Sequence, residues 1–195
     1  MSYLDYIVSL AEKWKGLGEK TLENGTRLIG HVPQVAPQAY LHQFYLPALT
    51  GGEFEVVELF VKRPLPQPLR ELYGRFNGLR LFQGELGVDG LRRSSGRTVE
   101  DVWQPFAIQT PNADERPERA PDDFVFFGGY KDDLTLLGMR PASPEIIATK
   151  PERWRVKATW PDLESCLVSE AERLSRMFND AGDFVGKRGR VSPGA

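Results

Sequence analysis

The stretch 65–82, LPQPLRELYGRFNGLRLF, constrains the fold more than any other part of this chain. Pro68 suits a first helical position, where its missing N–H has no intrahelical partner to lose. Leu69, Leu72, Tyr73 and Phe76 recur at helical spacing and share one face. Asn77 and Gly78 tolerate the left-handed conformation that commonly ends a helix, and Leu79, Leu81 and Phe82 then open a strand pattern. A helix passed through a tight stop into a strand requires an architecture that mixes the two. These are folding instructions, and they identify a scaffold rather than a chemistry.

The same punctuation runs downstream. FVFFGGY at 124–130, LTLLGM at 134–139 and EIIAT at 145–149 are short apolar runs separated by turns, which is the pattern of an antiparallel meander. Trp160, Pro161 and Asp162 open a last helix with Leu163, Leu167, Ala171, Leu174 and Phe178 on one face and Gly182 just past its end. Upstream, Thr50 and Glu53 stand three apart before FEVVELFV, a capping box that starts another helix. Leu4, Ile7, Val8, Ala11 and Trp14 form the apolar stripe of an amphipathic helix ending near Gly16 or Gly18. NGTRLIGHVPQVAP, with Asn24, Gly25 and its prolines, reads as a connecting segment. The expected division is a helical N-terminal extension at 1–48, a main domain at 49–182 and a flexible tail at 183–195 carrying Lys187, Arg188 and Arg190.

Composition narrows the function classes. A length of 195 residues, 41% hydrophobic and 27% charged, suits one globular domain with a real core. A net charge of -2 argues against whole-surface attraction to nucleic acid or to an anionic membrane. Cys166, the single cysteine, can close no intramolecular disulfide and builds no zinc cage, and it is expected as a small buried hydrophobe. The first residues, MSYLDYIVSLAEKWKG, set Asp5 and Glu12 among their apolar positions and are not a signal peptide. No apolar stretch approaches the roughly 20 residues of a membrane span. The expected address is the cytoplasm.

Catalytic chemistry finds no constellation. His31 and His42 are the only histidines; they stand eleven apart with no HExxH pattern and no nearby cysteine, and there is no GxSxG elbow. Gly128 and Gly129 lack the spacing of a phosphate-cradling loop. Trp103 and Trp160 sit where elements meet turns and are expected in the core. The expectation is no enzyme, no metal and no cofactor.

Charge offers a better clue. From 100 to 135 the acids Glu100, Asp101, Asp114, Glu115, Glu118, Asp122, Asp123, Asp132 and Asp133 outweigh Arg116, Arg119 and Lys131. If the loops holding Asp122–Asp123 and Asp132–Asp133 lie at the same end of the sheet, they face a basic protein partner and steer its approach, with Tyr130 as an aromatic anchor. The alternative is solvated loop charges with no partner. The candidate partner-binding residues are therefore Asp122, Asp123, Tyr130, Asp132 and Asp133.

The order of these motifs also carries a resemblance. LP, an amphipathic helix and Asn-Gly before a strand, then a proline-rich loop ending in PDDFVFFGGY, then the late helix WPDLESCLVSEAERL, resembles the SUKH superfamily of Smi/Knr-like proteins over about residues 50–182. Lys131-Asp132-Asp133-Leu134 departs from the small glycine-containing turn found in many relatives. The resemblance implies an α+β fold, with a mixed or antiparallel sheet of about five to six strands flanked by helices. It also implies a binding role, which in bacterial members is immunity against a toxin. The expected function is a non-catalytic protein-binding domain, monomeric or weakly dimeric, that neutralises a basic toxin domain by steric occlusion. A regulatory or scaffold domain that binds an endogenous partner is the alternative.

Overall fold

The fold is that of a computed structural model describing residues 2–187 and 191–193. Helix starts follow side-chain chemistry. Ser2 and Asp5 close a capping box at α1 (Tyr3–Ala11), which tightens into a 3₁₀ turn over Glu12–Leu17. Thr50 and Glu53 do the same for α2 (Gly51–Val61). α3 (Gln67–Tyr73) carries Pro68 in its first turn and ends at Gly74, three residues before the expected Asn-Gly stop. Asn77 acts instead across the chain. Its carboxamide donates to Leu91 O and accepts from Leu91 N, both at 2.8 Å, and so ties 91 to the residues that lead into the strand at 79–81. The short α4 (Val99–Val102) follows, and Asp162 caps the long α5 (Leu163–Ser175) by accepting from Ser165 N at 2.7 Å.

Among the described residues, nine strands form one sheet whose spatial order is the chain order: β1 (Glu19–Thr21), β2 (Arg27–His31), β3 (Tyr40–Phe44), β4 (Leu79–Leu81), β5 (Leu86–Val88), β6 (Val125–Tyr130), β7 (Leu136–Met139), β8 (Ile146–Lys150) and β9 (Arg155–Trp160). Every neighbouring pair is antiparallel. This corrects the expected mixed or antiparallel sheet of about five to six strands. Three of the additional strands lie in the segment 19–44, where Leu28, Ile29 and Gly30 are buried consecutively, so no alternation announces a strand. The Asn-Gly and Pro signals around them mark hairpin turns, not a structureless connection. β9 is hidden for the opposite reason: it lies at the sheet edge with its residues exposed or half-buried and shows no apolar face.

Pleating sends alternate residues to two cores. Val125, Phe127, Leu137, Met139, Ile146 and Ala148 join α1, α2, α3 and α5 in the main core. Phe124 and Phe126 point the other way and meet Trp154 edge-on, with ring centroids 5.1 and 6.0 Å from it, in a smaller cluster with Ala120. α1 packs on α5, where Tyr6 Oη donates to Glu172 Oε1 at 2.6 Å. Trp14 Nε1 donates to Asn179 O at 2.8 Å just beyond α5. The segment expected to be an N-terminal extension is thus continuous with the rest in both sheet and core.

Within the expected tail at 183–195, two of the described residues are packed against the fold. Val191 and Ser192 are buried. Ser192 Oγ donates to Asp133 Oδ2 at 2.8 Å and accepts from Lys157 Nζ at 2.6 Å, while Arg173 donates to Val191 O. Arg188 and Arg190 lie outside the described residues.

Candidate functional site

Two consecutive glycines inside a strand need a cause, because each gives up packing and backbone entropy. In β6 the cause is close approach. A Cβ on Gly128 would stand 2.0 Å from Gly87 O, and one on Gly129 would stand 2.3 Å from Thr135 O. Register then aligns Arg80, Gly87, Gly129 and Leu136 in one row across β4, β5, β6 and β7. Their strand neighbours Leu79, Leu81, Leu86, Val88 and Leu137 enter the main core, so this row faces away from it. The result is a strip of bare backbone between Arg80 and Leu136.

Two loops raise walls along the strip. The first carries Phe106. It is docked on the chain after β5 by Gly90 N to Phe106 O and Ile108 N to Gly90 O, both 2.9 Å. Farther along, in the π turn Thr110–Asp114, buried Asn112 donates to Phe126 O at 2.7 Å and Ile108 O at 2.8 Å, and accepts from Phe126 N at 3.0 Å. A side chain here takes the place of a strand partner at the β6 bulge. So anchored, Phe106 is 60% exposed, and its ring covers the Arg80 guanidinium with 3.2 Å from Cζ to the ring centroid.

The second wall is Leu134, 71% exposed and left-handed at φ 57°. Leucine rarely adopts that conformation unless its surroundings impose it. Asp133 imposes it here. Its Oδ1 accepts from Thr135 N and Oγ1, its Oδ2 pairs with Lys150 and Lys157 at 3.0 and 2.9 Å, and Ser192 adds a further bond. Burial alone would raise the Asp133 carboxyl, but these donors outweigh it and hold the group well below the usual carboxylate range.

Between the walls lies a cavity of about 320 Å³, continuous through Asp89, Phe106, Leu134 and Leu136 with a second of about 560 Å³ that reaches Thr110, Glu115 and Pro151. Asp89 sits where the two meet. Burial pushes its carboxyl up to about 7 against the opposing charge of Arg80, and no hydrogen bond from the described residues reaches it. Glu85 Oε2 and Arg80 Nη2 are buried without partners among the described residues, and burial raises the Glu85 carboxyl. A raised carboxyl in a groove is a common mark of acid–base chemistry. Among the described residues that line the cavities, the hydroxyl-bearing side chains are those of Thr110, Thr135 and Tyr130; Thr135 is bonded to Asp133, and the Tyr130 side chain turns into the main core, where it donates to Glu170. Among the described residues no three His, Cys, Asp or Glu converge as metal ligands.

No model of a known protein family matches the chain, and no curated protein matches it.

The residues singled out by charge are dispersed. Asp122 and Asp123 precede β6 and Asp132 and Asp133 follow it, so the strand separates the pairs and they share no end of the sheet. Asp122 is exposed, and Asp123 faces Arg140 at 3.6 Å. Asp132 is exposed beside the groove, whereas Asp133 is neutralised by its lysines and acts by presenting Leu134. Tyr130 is no surface anchor: it is 3% exposed, and its hydroxyl donates to Glu170 Oε2 at 2.6 Å. The groove residues Arg80, Gly87, Asp89, Phe106 and Leu134 carry no motif. Their only signals in the sequence are Gly128–Gly129 and the isolated Leu134 after three charged residues.

Proposed function

We propose that this chain is a non-catalytic protein-binding domain whose partner docks in the groove between Phe106 and Leu134. The observation that carries this reading is the pairing of two large exposed apolar side chains, each on an over-determined support, across a strip of sheet that has no side chains. Isolated exposed hydrophobics are ordinary on a protein surface, but two that wall one continuous groove are the anatomy of a docking site. Preorganised walls lower the ordering cost of association.

Among the described residues no helix is long and apolar enough to cross a membrane. The narrower proposal is toxin immunity in the cytoplasm by steric occlusion, without turnover or cofactor. Its support is the order of motifs that resembles the SUKH superfamily. Coexpression with the product of the adjacent gene tests it: the proposal expects growth rescue and co-purification. Failure of both contradicts immunity, and a different partner recovered from the native host through the same groove would favour a scaffold.

A further inference from the structure

Of the glycines that floor the groove, Gly87 alone has no internal reason to be one. Gly84 has φ +84°, and Gly128 and Gly129 are forced by backbone contacts. At Gly87 the backbone is not left-handed, and an added Cβ would meet nothing nearer than 4.0 Å. A strand position of this kind is better served by a β-branched or aromatic residue. What a side chain would obstruct is the space above the strand, between Phe106 and Leu134.

The two ends of β5 differ in charge. At the hairpin end, Arg80 lays Nη1 3.6 Å from where a Cβ on Gly84 would stand, and its guanidinium is covered by Phe106; Lys131 lies at the same end, its backbone N bonded to Glu85 O. Beyond the other end of β5 is Asp89, whose carboxylate receives no donor from the described residues, with Glu115 along the adjoining cavity.

Building on the proposed docking groove, we propose that Gly87 and Asp89 form its anchor subsite, which takes one lysine or arginine side chain of the partner protein. The aliphatic stem lies over Gly87 between Phe106, Leu134 and Leu136, and the cationic head donates to Asp89. The apolar walls suit the stem, and the unpartnered carboxylate complements the head. Arg80 also acts on this carboxylate, its charge opposing the rise that burial causes, but it donates no hydrogen bond to it. The other charged or titratable groups around Asp89 are Tyr45 at the end of β3, Tyr73 on α3, and Arg92 and Glu115 across the adjoining cavity. Asp89 holds a cation only when ionised, so binding strengthens as pH rises through about 7.

Blocked tripeptides alanine-X-alanine, with X lysine, arginine, norleucine or glutamate, titrated into the full chain and followed by amide chemical shifts, test the subsite. The lysine and arginine peptides should shift Gly87, Asp89 and Leu134 and bind at least about tenfold more tightly than norleucine, which has the stem without the charge. Asp89→Asn should abolish that preference and its pH dependence. Gly87→Val, and the milder Gly87→Ala, should weaken both peptides while leaving the fold unchanged by circular dichroism. Equal binding of norleucine and lysine, binding undiminished in both Gly87 variants, or no shift at these residues overturns the subsite. Partner capture that still depends on Phe106 and Leu134 would leave the docking groove standing without it.

Discussion

Asp133 Oδ2 accepts from Lys157 Nζ at 2.9 Å, and this pair joins the β6–β7 turn to the edge strand β9. Lys150 and Ser192 complete the junction, so one carboxylate ties together the β6–β7 turn, β8, β9 and the chain end. The adjacent Leu134 is held in a conformation that leucine does not choose for itself. The charge serves as a support for an exposed apolar side chain.

Asp133→Asn should therefore destabilise the fold by roughly 1–3 kcal/mol, as expected when a hydrogen-bonded, half-buried carboxylate loses its charge. The Asp133 carboxyl is lowered in the folded state, so its contribution is fully present above the unfolded value near 4 and is lost as pH falls through the lower folded value. Urea unfolding of both proteins at pH 7 and at about pH 3 checks this. The gap between them should narrow in acid, and a gap independent of pH contradicts the assignment.

His42 predicts a second pH effect of independent origin. It is buried between Trp14 and Phe82, with ring centroids 5.3 and 4.7 Å away, and neither ring nitrogen has a partner. Burial lowers its pKa to about 3. Between about 6.5 and 3 the unfolded chain binds a proton that the folded chain does not, so stability falls with pH by up to about 1.4 kcal/mol per unit from this group. His42→Phe should flatten that slope without loss of stability at pH 7. An unchanged slope in denaturant titrations would show that His42 is not its source.

Asn112→Ala should cost about 1–3 kcal/mol for each buried backbone group left unpaired at Phe126. Because Asn112 also anchors the loop that begins at Phe106, amide exchange in 106–116 should accelerate before exchange in the core strands does. Uniform acceleration across the sheet would show that Asn112 supports the fold as a whole and not the groove wall.

The longer helices α1, α2 and α5 are legible in the sequence because their starts are written in local chemistry, Ser2 with Asp5, Thr50 with Glu53, and Asp162 with Ser165, whereas the four-residue α4 is too short to show a period. The sheet is half legible. FVFFGGY announces itself by consecutive apolar residues, but RLIGH is short and buried on both faces, and RVKATW is an exposed edge, so neither carries the alternation that marks a strand. The groove is nearly invisible. Whether Phe106 packs inside or stands at a rim depends on where Asn112 and Gly90 hold its loop, and that is decided by contacts distant in sequence. Acid counts do not point to the groove, because a charge run does not disclose that lysines from β8 and β9 neutralise Asp133.

Phe106→Asp and Leu134→Asp should leave the thermal midpoint nearly unchanged, since both side chains are exposed and the Phe106–Arg80 contact is worth about 0.5–1 kcal/mol. These variants also probe the central claim most directly, through the affinity of the co-purified partner for the wild-type chain and for the Phe106→Asp/Leu134→Asp double variant. Loss of the two walls predicts a drop of about thirtyfold or more, corresponding to at least about 2 kcal/mol, with the fold intact. An affinity equal to that of the wild type in a folded double variant would contradict the assignment of this groove as the partner-binding site.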